Sequence, residues 1–318
     1  MLLQIFLLVV GAMLVLWGAD RLTDGAVSIA ERLAVPEIVI GLTIVSVATS
    51  MPEFFISVVA ALKGNPDITA GNVVGSNIFN TMMIVGLAAF ISPIAILKSS
   101  VKKDIPFAIV ASVLFLFLWL FGEDITRLEG CLLLLGLFVF MYYTLQQVAK
   151  AKKEKGSERS EKQTIGKSLF FIIIGLLCLV VGSDLFVDGA SSLAKGLGVS
   201  DAVIGLTIVA AGTSLPELAT SVVAARKGQS GIAIGNVLGS NVFNILFVLG
   251  LTGVISPMRI TGLTPVDLGV MILSMIVLWL FSRTKYTISR QEGMLLVLLY
   301  VAYVGWLIWN LSHPVELF

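Results

Sequence analysis

The sequence predicts an all-α polytopic membrane protein, ten transmembrane helices arranged as two inverted-topology five-helix repeats. Three observations predict it: an apolar composition, ten apolar runs of membrane-crossing length, and an internal repeat whose copies each carry an odd number of spans. Of 318 residues, 57% are hydrophobic and 13% charged, and the mean hydropathy is +1.01. A soluble domain of this length could not bury that much apolar surface. The net charge of +1 comes without a basic arm or an aromatic-interleaved basic patch, so no nucleic-acid partner is expected. Cys131 and Cys178 sit in apolar runs and read as small packing residues, and no disulfide framework is implied. His313 stands alone near the C-terminus and is not expected to be a ligand. The first apolar run leads into further spans, not a small-residue cleavage site, so it reads as a retained helix.

With about 20 apolar residues needed per crossing, spans fall near 2–19, 37–62, 72–92, 105–122 and 128–148. A charged stretch, Lys150 to Lys167, follows and reads as a solvated linker. Further spans fall near 168–187, 202–226, 232–255, 266–282 and 293–312. The organisation is therefore a first repeat over 1–148 with its core near 37–92, a linker at 149–167, and a second repeat over 168–318 with its core near 202–255. The amphipathic segments 20–36 and 184–200 are expected to extend their preceding helices. Their acid pairs, Asp20/Asp24 and Asp184/Asp188, read as interfacial or helix-to-helix bonding groups.

If the N-terminus faces out, 17 of the 21 Lys and Arg fall inside and only Lys63, Arg127, Lys195 and Arg259 outside. The positive-inside rule then puts both termini outside and the linker in the cytoplasm of a multi-pass cell (inner) membrane protein. Five spans per copy invert the second copy relative to the first. Inverted repeats with interrupted helices meeting at mid-bilayer are a layout of secondary transporters. No phosphate-cradling glycine loop points to an ATP motor.

Gly41-Leu42-Thr43-Ile44-Val45-Ser46-Val47-Ala48-Thr49-Ser50-Met51-Pro52-Glu53 superimposes without a gap on Gly205 to Glu217, 164 residues later. Roughly 36 identities occur over about 63 positions, from Gly18/Gly182 to Asn80/Asn244. A carboxylate at bilayer depth costs about 2.5–3.5 kcal/mol on insertion scales, so Glu53 and Glu217 are functional candidates by default. Pro52 and Pro216 interrupt their helices. The i,i+3 and i,i+4 spacings place Ser50 and Thr49 on the face of Glu53, and Ser214 and Thr213 on that of Glu217. Hydroxyls, freed carbonyls and a carboxylate make an all-oxygen surrounding suited to a hard cation such as Ca²⁺, and to Na⁺. Each copy adds a second motif, Gly71-Asn72-Val73-Val74-Gly75-Ser76-Asn77 and Gly235-Asn236-Val237-Leu238-Gly239-Ser240-Asn241, each followed three residues later by Asn80 or Asn244.

These paired motifs resemble the alpha-repeats of the sodium/calcium exchanger family, within the cation/calcium antiporter superfamily. The resemblance implies an antiporter, not an enzyme, with no resident cofactor, that binds Ca²⁺ and Na⁺ as transported substrates. It implies Glu53 and Glu217 as ligands shared by both ions, and Thr49 and Thr213 as contributors to the calcium site, largely through backbone carbonyls. Ser50, Ser76, Ser214 and Ser240 would complete flanking sodium sites with the carbonyls of Ser46 and Ala210, and Asn80 and Asn244 would sit at the centre. Two departures stand out: Ala48 precedes Thr49 where a glycine is common, and position 244 is Asn where several relatives, including the potassium-dependent branch, have Asp. Asn244 points to K⁺-independent Na⁺/Ca²⁺ exchange. The alternative is H⁺/Ca²⁺ exchange, although the Gly-Asn-x-x-Glu motifs typical of that branch are absent. A channel would lack strict counter-ion dependence. An intramembrane hydrolase fits poorly, since no His lies within a span.

The hydroxyls of Thr43, Thr207 and Ser57 read as packing groups bonded within the helix bundle. The second-motif glycines read as sites of close helix approach. Asn72, Asn77, Asn236 and Asn241 read as residues that hold interrupted backbone together.

Overall fold

The computed structural model describes residues 2–122, 124–155, 165–197 and 210–312. Helices α1 (Leu2–Leu33), α2 (Glu37–Thr49), α3 (Met51–Leu62), α4 (Pro66–Ile91), α5 (Ser100–Gly122) and α6 (Arg127–Lys155) form the first repeat. α7 (Ile165–Gly196), α8 (Ala210–Gly212), α9 (Leu215–Arg226), α10 (Ser230–Ile255), α11 (Pro265–Arg283) and α12 (Arg290–Ser312) form the second. Eight of these are single helices of spanning length and apolarity, and α2 with α3 makes a ninth, broken span. The tenth is the crossing that ends in α8 and α9; its residues 202–209 lie outside the described residues. The fold is thus the ten-helix inverted repeat. As expected, segments 20–36 and 184–200 mostly continue α1 and α7, by more than two extra turns each.

α4 and α10 form the centre, 72% and 94% buried over their apolar windows, against 22% for α1 and 11% for α12. Outer helices keep apolar side chains facing the lipid, so burial separates core from rim where hydropathy does not. Two short antiparallel ladders knit the repeats together. β1 (Ile94–Ala95) pairs with β4 (Thr287–Ile288), and β2 (Asp124–Ile125) pairs with β3 (Met258–Arg259). Moving β1 and β4 onto their repeat partners turns the first ladder into the second, with Ile94 opposite Ile288 and Ile125 opposite Met258.

α1 and α7 cross antiparallel on a glycine seam. A Cβ on Gly18 would stand 2.6 Å from the Gly175 carbonyl oxygen, and one on Gly11 2.7 Å from that of Gly182. Lipid offers no hydrophobic drive for helices to associate, so close backbone packing through small residues supplies it. At the ends of α3 and α9 the chain turns back through Lys63-Gly64 and Lys227-Gly228, where each glycine has φ +77°. That left-handed geometry suits a residue without Cβ.

Candidate functional site

Two interrupted helices meet at the centre. Ser50 (φ −83°, ψ 6°) ends α2, and Ser214 (φ −92°, ψ 9°) precedes α9; neither has helical ψ. Pro52 and Pro216 lie in the first turns of α3 and α9, where a missing N–H is harmless. α3 is bent by 45° from α2. Glu53 and Glu217 therefore also sit in first turns, at the positive end of a helix dipole. Both are 1% exposed.

The break changes who bonds whom. The spacing placed Ser50 beside Glu53, but the structure sends it across to the other repeat. Ser50 Oγ donates to Glu217 Oε1 at 3.0 Å, and Ser214 Oγ donates to Glu53 Oε1 at 3.0 Å. Ser214 Oγ also lies 3.2 Å from Ser76 Oγ, and Ser240 Oγ donates to Glu217 Oε1 at 3.4 Å. The two carboxylates and four serines thus form one set spanning both repeats.

Asparagines hold the set in place. Asn72 Nδ2 donates to the Glu53 carbonyl (3.2 Å) and to Ser57 Oγ (3.1 Å). Asn236 Nδ2 repeats this with the Glu217 carbonyl (3.3 Å) and Ser221 Oγ (3.0 Å). Thr49 Oγ1 donates to Asn236 Oδ1 at 3.1 Å and to the Ser46 carbonyl at 3.4 Å, which also accepts from the Ser50 N–H. Thr213 lines a cavity beside Pro52 and Pro216. Ala210 opens α8.

Asn80 and Asn244 lie in α4 and α10 on wide, π-type turns, Phe79–Ile84 and Asn244–Leu249. Such turns recur at functional sites because they re-aim side chains within a continuous helix. Asn80 Nδ2 donates to Asn241 Oδ1 and Asn244 Nδ2 to Asn77 Oδ1, both at 3.2 Å. With both amide donors turned outward in this way, the carbonyl oxygens are left over.

Among the described residues, four buried oxygens at this centre have no hydrogen-bond donor: Glu53 Oε2, Glu217 Oε2, Asn80 Oδ1 and Asn244 Oδ1. Among the described residues, no Lys or Arg pairs with either glutamate. Leaving a buried ionised carboxylate unpaired costs several kcal/mol. Acceptors without donors, two of them carboxylate oxygens, are the kind of group that coordinates a desolvated hard cation.

Sequence reading had no signal for Thr81, whose Oγ1 accepts from Asn241 Nδ2 at 2.7 Å, because its repeat partner is Ile245. The wide turns left no compositional trace either. Thr43 behaves as the packing group expected, donating to the Val39 carbonyl at 2.6 Å. Thr207 lies outside the described residues.

The family model described as "Sodium/calcium exchanger protein" matches residues 3–146 and 167–309. The putative antiporter CaxA of Alkalimonas amylolytica is 37% identical over 95% of this chain and 98% of its own. The sodium/calcium exchanger MaX1 of Methanosarcina acetivorans is 33% identical over 94% of this chain and 96% of its own. Among solved structures, the sodium-calcium exchanger NCX_Mj, soaked with 10 mM Na⁺ and zero Ca²⁺, superimposes with a TM-score of 0.82 at 32% identity, covering 96% of this chain and 98% of that one. Two family-wide matched segments, one per repeat, meet at the site just described, and the chain belongs to the sodium/calcium exchanger family.

Proposed function

We propose that the chain is a secondary active antiporter exchanging Na⁺ for Ca²⁺ by alternating access, without a K⁺ requirement. The observation that carries the reading is the set of four donor-free buried oxygens drawn from both repeats. In this reading Glu53 and Glu217 hold either ion in turn. Ser50, Ser76, Ser214 and Ser240 serve flanking sodium positions, and Thr49, Thr213, Asn80 and Asn244 surround the centre. The carbonyls of Ser46 and Ala210 complete the set. Because both ions need the same two carboxylates, occupancy is exclusive, and exclusivity enforces exchange.

Asn at both 80 and 244 leaves the centre at a formal charge of −2, from the glutamates alone. One Ca²⁺ neutralises it, with no surplus negative charge for an additional monovalent ion. The test is ⁴⁵Ca uptake into proteoliposomes. An outward Na⁺ gradient is expected to drive uptake with no K⁺ present, while an outward H⁺ gradient alone is not. Full exchange on the H⁺ gradient would establish a proton-coupled exchanger in its place. Silence until K⁺ is added on the calcium side would establish a potassium-dependent one. Flux with no counter-ion would mark a channel.

The same reading puts both termini outside and the linker in the cytoplasm, on the 17-to-4 distribution of basic residues. In a background lacking Cys131 and Cys178, Asn65→Cys is expected to react with an impermeant maleimide from outside, and Gln229→Cys only from the cytoplasm. Reaction of both from one side would refute the inversion.

A further inference from the structure

The two repeats match in sequence but not in position. α1 and α9 run towards the linker side of the membrane, and α1 packs along α9. There Asp20 and Asp24 hold Lys227, the residue that ends α9. Lys227 Nζ lies 2.5 Å from Asp20 Oδ1 and 2.6 Å from Asp24 Oδ1, and it donates to the Asp20 carbonyl at 3.2 Å. Arg21 bridges the same two carboxylates. Both aspartates are half-buried.

Shifted by one repeat, the same positions are Asp184, Asp188 and Lys63. Lys63 ends α3 as Lys227 ends α9, each followed by its left-handed glycine. These residues belong to the opposite, terminal side, and there they stand apart. Asp184, Asp188 and Lys63 are all exposed, and among the described residues none has an ion-pair partner. A cavity of about 290 Å³ separates α3 from α7. Its walls include Pro52 and Ile56 of α3, Asp184, Val187 and Asp188 of α7, and Thr213, next to the central site. The second-motif glycines show the same asymmetry: Gly235 and Gly239 are buried, while Gly71 and Gly75 are exposed.

We propose that the two triplets are alternating ionic latches. Asp20, Asp24 and Lys227 lock the linker side in the state seen here. In the opposite access state that latch parts, the cavity closes, and Lys63 pairs with Asp184 and Asp188. The latches differ in strength. The linker-side cluster has two carboxylates and two cations, but Arg21 corresponds to Leu185, so the terminal-side cluster has two carboxylates and a single cation. The terminal-side latch is therefore the weaker, and at rest the molecule favours the state open to the terminal side. The unlatched carboxylates also leave net negative charge on the wall of that cavity.

The proposal rests on the alternating-access reading above, and its test needs no ion flux, so failure of the Na⁺/Ca²⁺ assignment would leave it standing. The probe is Val187→Cys, on the cavity wall between the two aspartates, in the full chain lacking Cys131 and Cys178. Its reaction with an impermeant maleimide is followed from the terminal side without Na⁺ or Ca²⁺. Lys63→Gln removes the latch that closes the cavity, so labelling speeds up; Lys227→Gln frees the opposite one, so labelling slows. Each substitution is expected to change the ratio of open to closed molecules by about two- to five-fold, the size of a partly exposed ion pair. Because the open state already predominates, labelling slows by less than that for Lys227→Gln and rises less than about two-fold for Lys63→Gln. Asp188→Asn should act like Lys63→Gln, Lys63→Arg should keep the parent rate, and the double variant Lys63→Gln/Lys227→Gln should return towards it. Monodispersity on gel filtration identifies any variant that fails to fold, for which the Asp188→Asn and Asp24→Asn pair substitutes. Changes in the same direction for both lysines, or no change in either, would overturn the proposal.

Discussion

Glu53→Gln and Glu217→Gln are each expected to abolish calcium exchange while leaving the protein folded. Gln keeps the acceptor oxygen that Ser214 or Ser50 uses at 3.0 Å in the native protein. It removes one of the two carboxylate charges that the proposed site offers a divalent cation. At an effective dielectric near 20, one unit charge about 4 Å from another is worth roughly 4 kcal/mol, and a divalent ion doubles that. Lost hydration offsets much of the gain, but even a remaining deficit of about 3 kcal/mol lowers affinity more than a hundredfold. Two measurements check this. ⁴⁵Ca uptake should fall to background, and the rise in melting temperature that Ca²⁺ gives by binding the native state should disappear. The ion-free variants should melt no lower than the parent, because substitution relieves a buried unpaired carboxylate. A variant that exchanges near the parent rate would remove that glutamate from the site.

The next largest effect is expected at the seam between α1 and α7. Gly18→Val and Gly182→Val should lose most of the folded protein. At Gly18 the new Cβ would lie 2.6 Å from the Gly175 carbonyl oxygen and 2.9 Å from the Leu179 nitrogen; at Gly182 it would lie 2.8 Å from the Val15 nitrogen. These neighbours are backbone atoms, so no rotamer change relieves the clash. Overpacking against a flexible side chain costs about 1–3 kcal/mol, and here two helices of a pair held by close contact must separate. Gly305→Val is the control, since nothing lies within 4 Å of a Cβ there. Thermal melting in detergent is the readout, with the seam variants expected well below the control. Equal melting of all three would show that α1 and α7 do not depend on this contact.

Hydropathy, a constant offset of 164 residues and the placement of basic residues were enough to predict ten spans, two inverted repeats and the motifs Thr49–Glu53 and Thr213–Glu217. These are properties of single segments, or of one segment compared with its copy, and each segment carries them by itself. The continuation of α1 and α7 past their apolar runs was also legible, since an amphipathic extension is a local pattern. Which oxygens meet was not. Ser50 and Glu53 are three residues apart, yet the 45° break sends Ser50 to Glu217, a partner 167 residues away. The spare oxygens of Asn80 and Asn244 exist because amides from the other repeat, at Asn241 and Asn77, engage their donors across the α4–α10 centre. Access to the site was equally hidden. Asp20 and Asp184 occupy the same place in the repeat, and only the packing of α1 along α9 gives one of them a lysine while a cavity withholds it from the other. The matched positions differ because an ion pair depends on which helices pack beside the motif, and that is decided by the tertiary structure and not by the residues the two copies share.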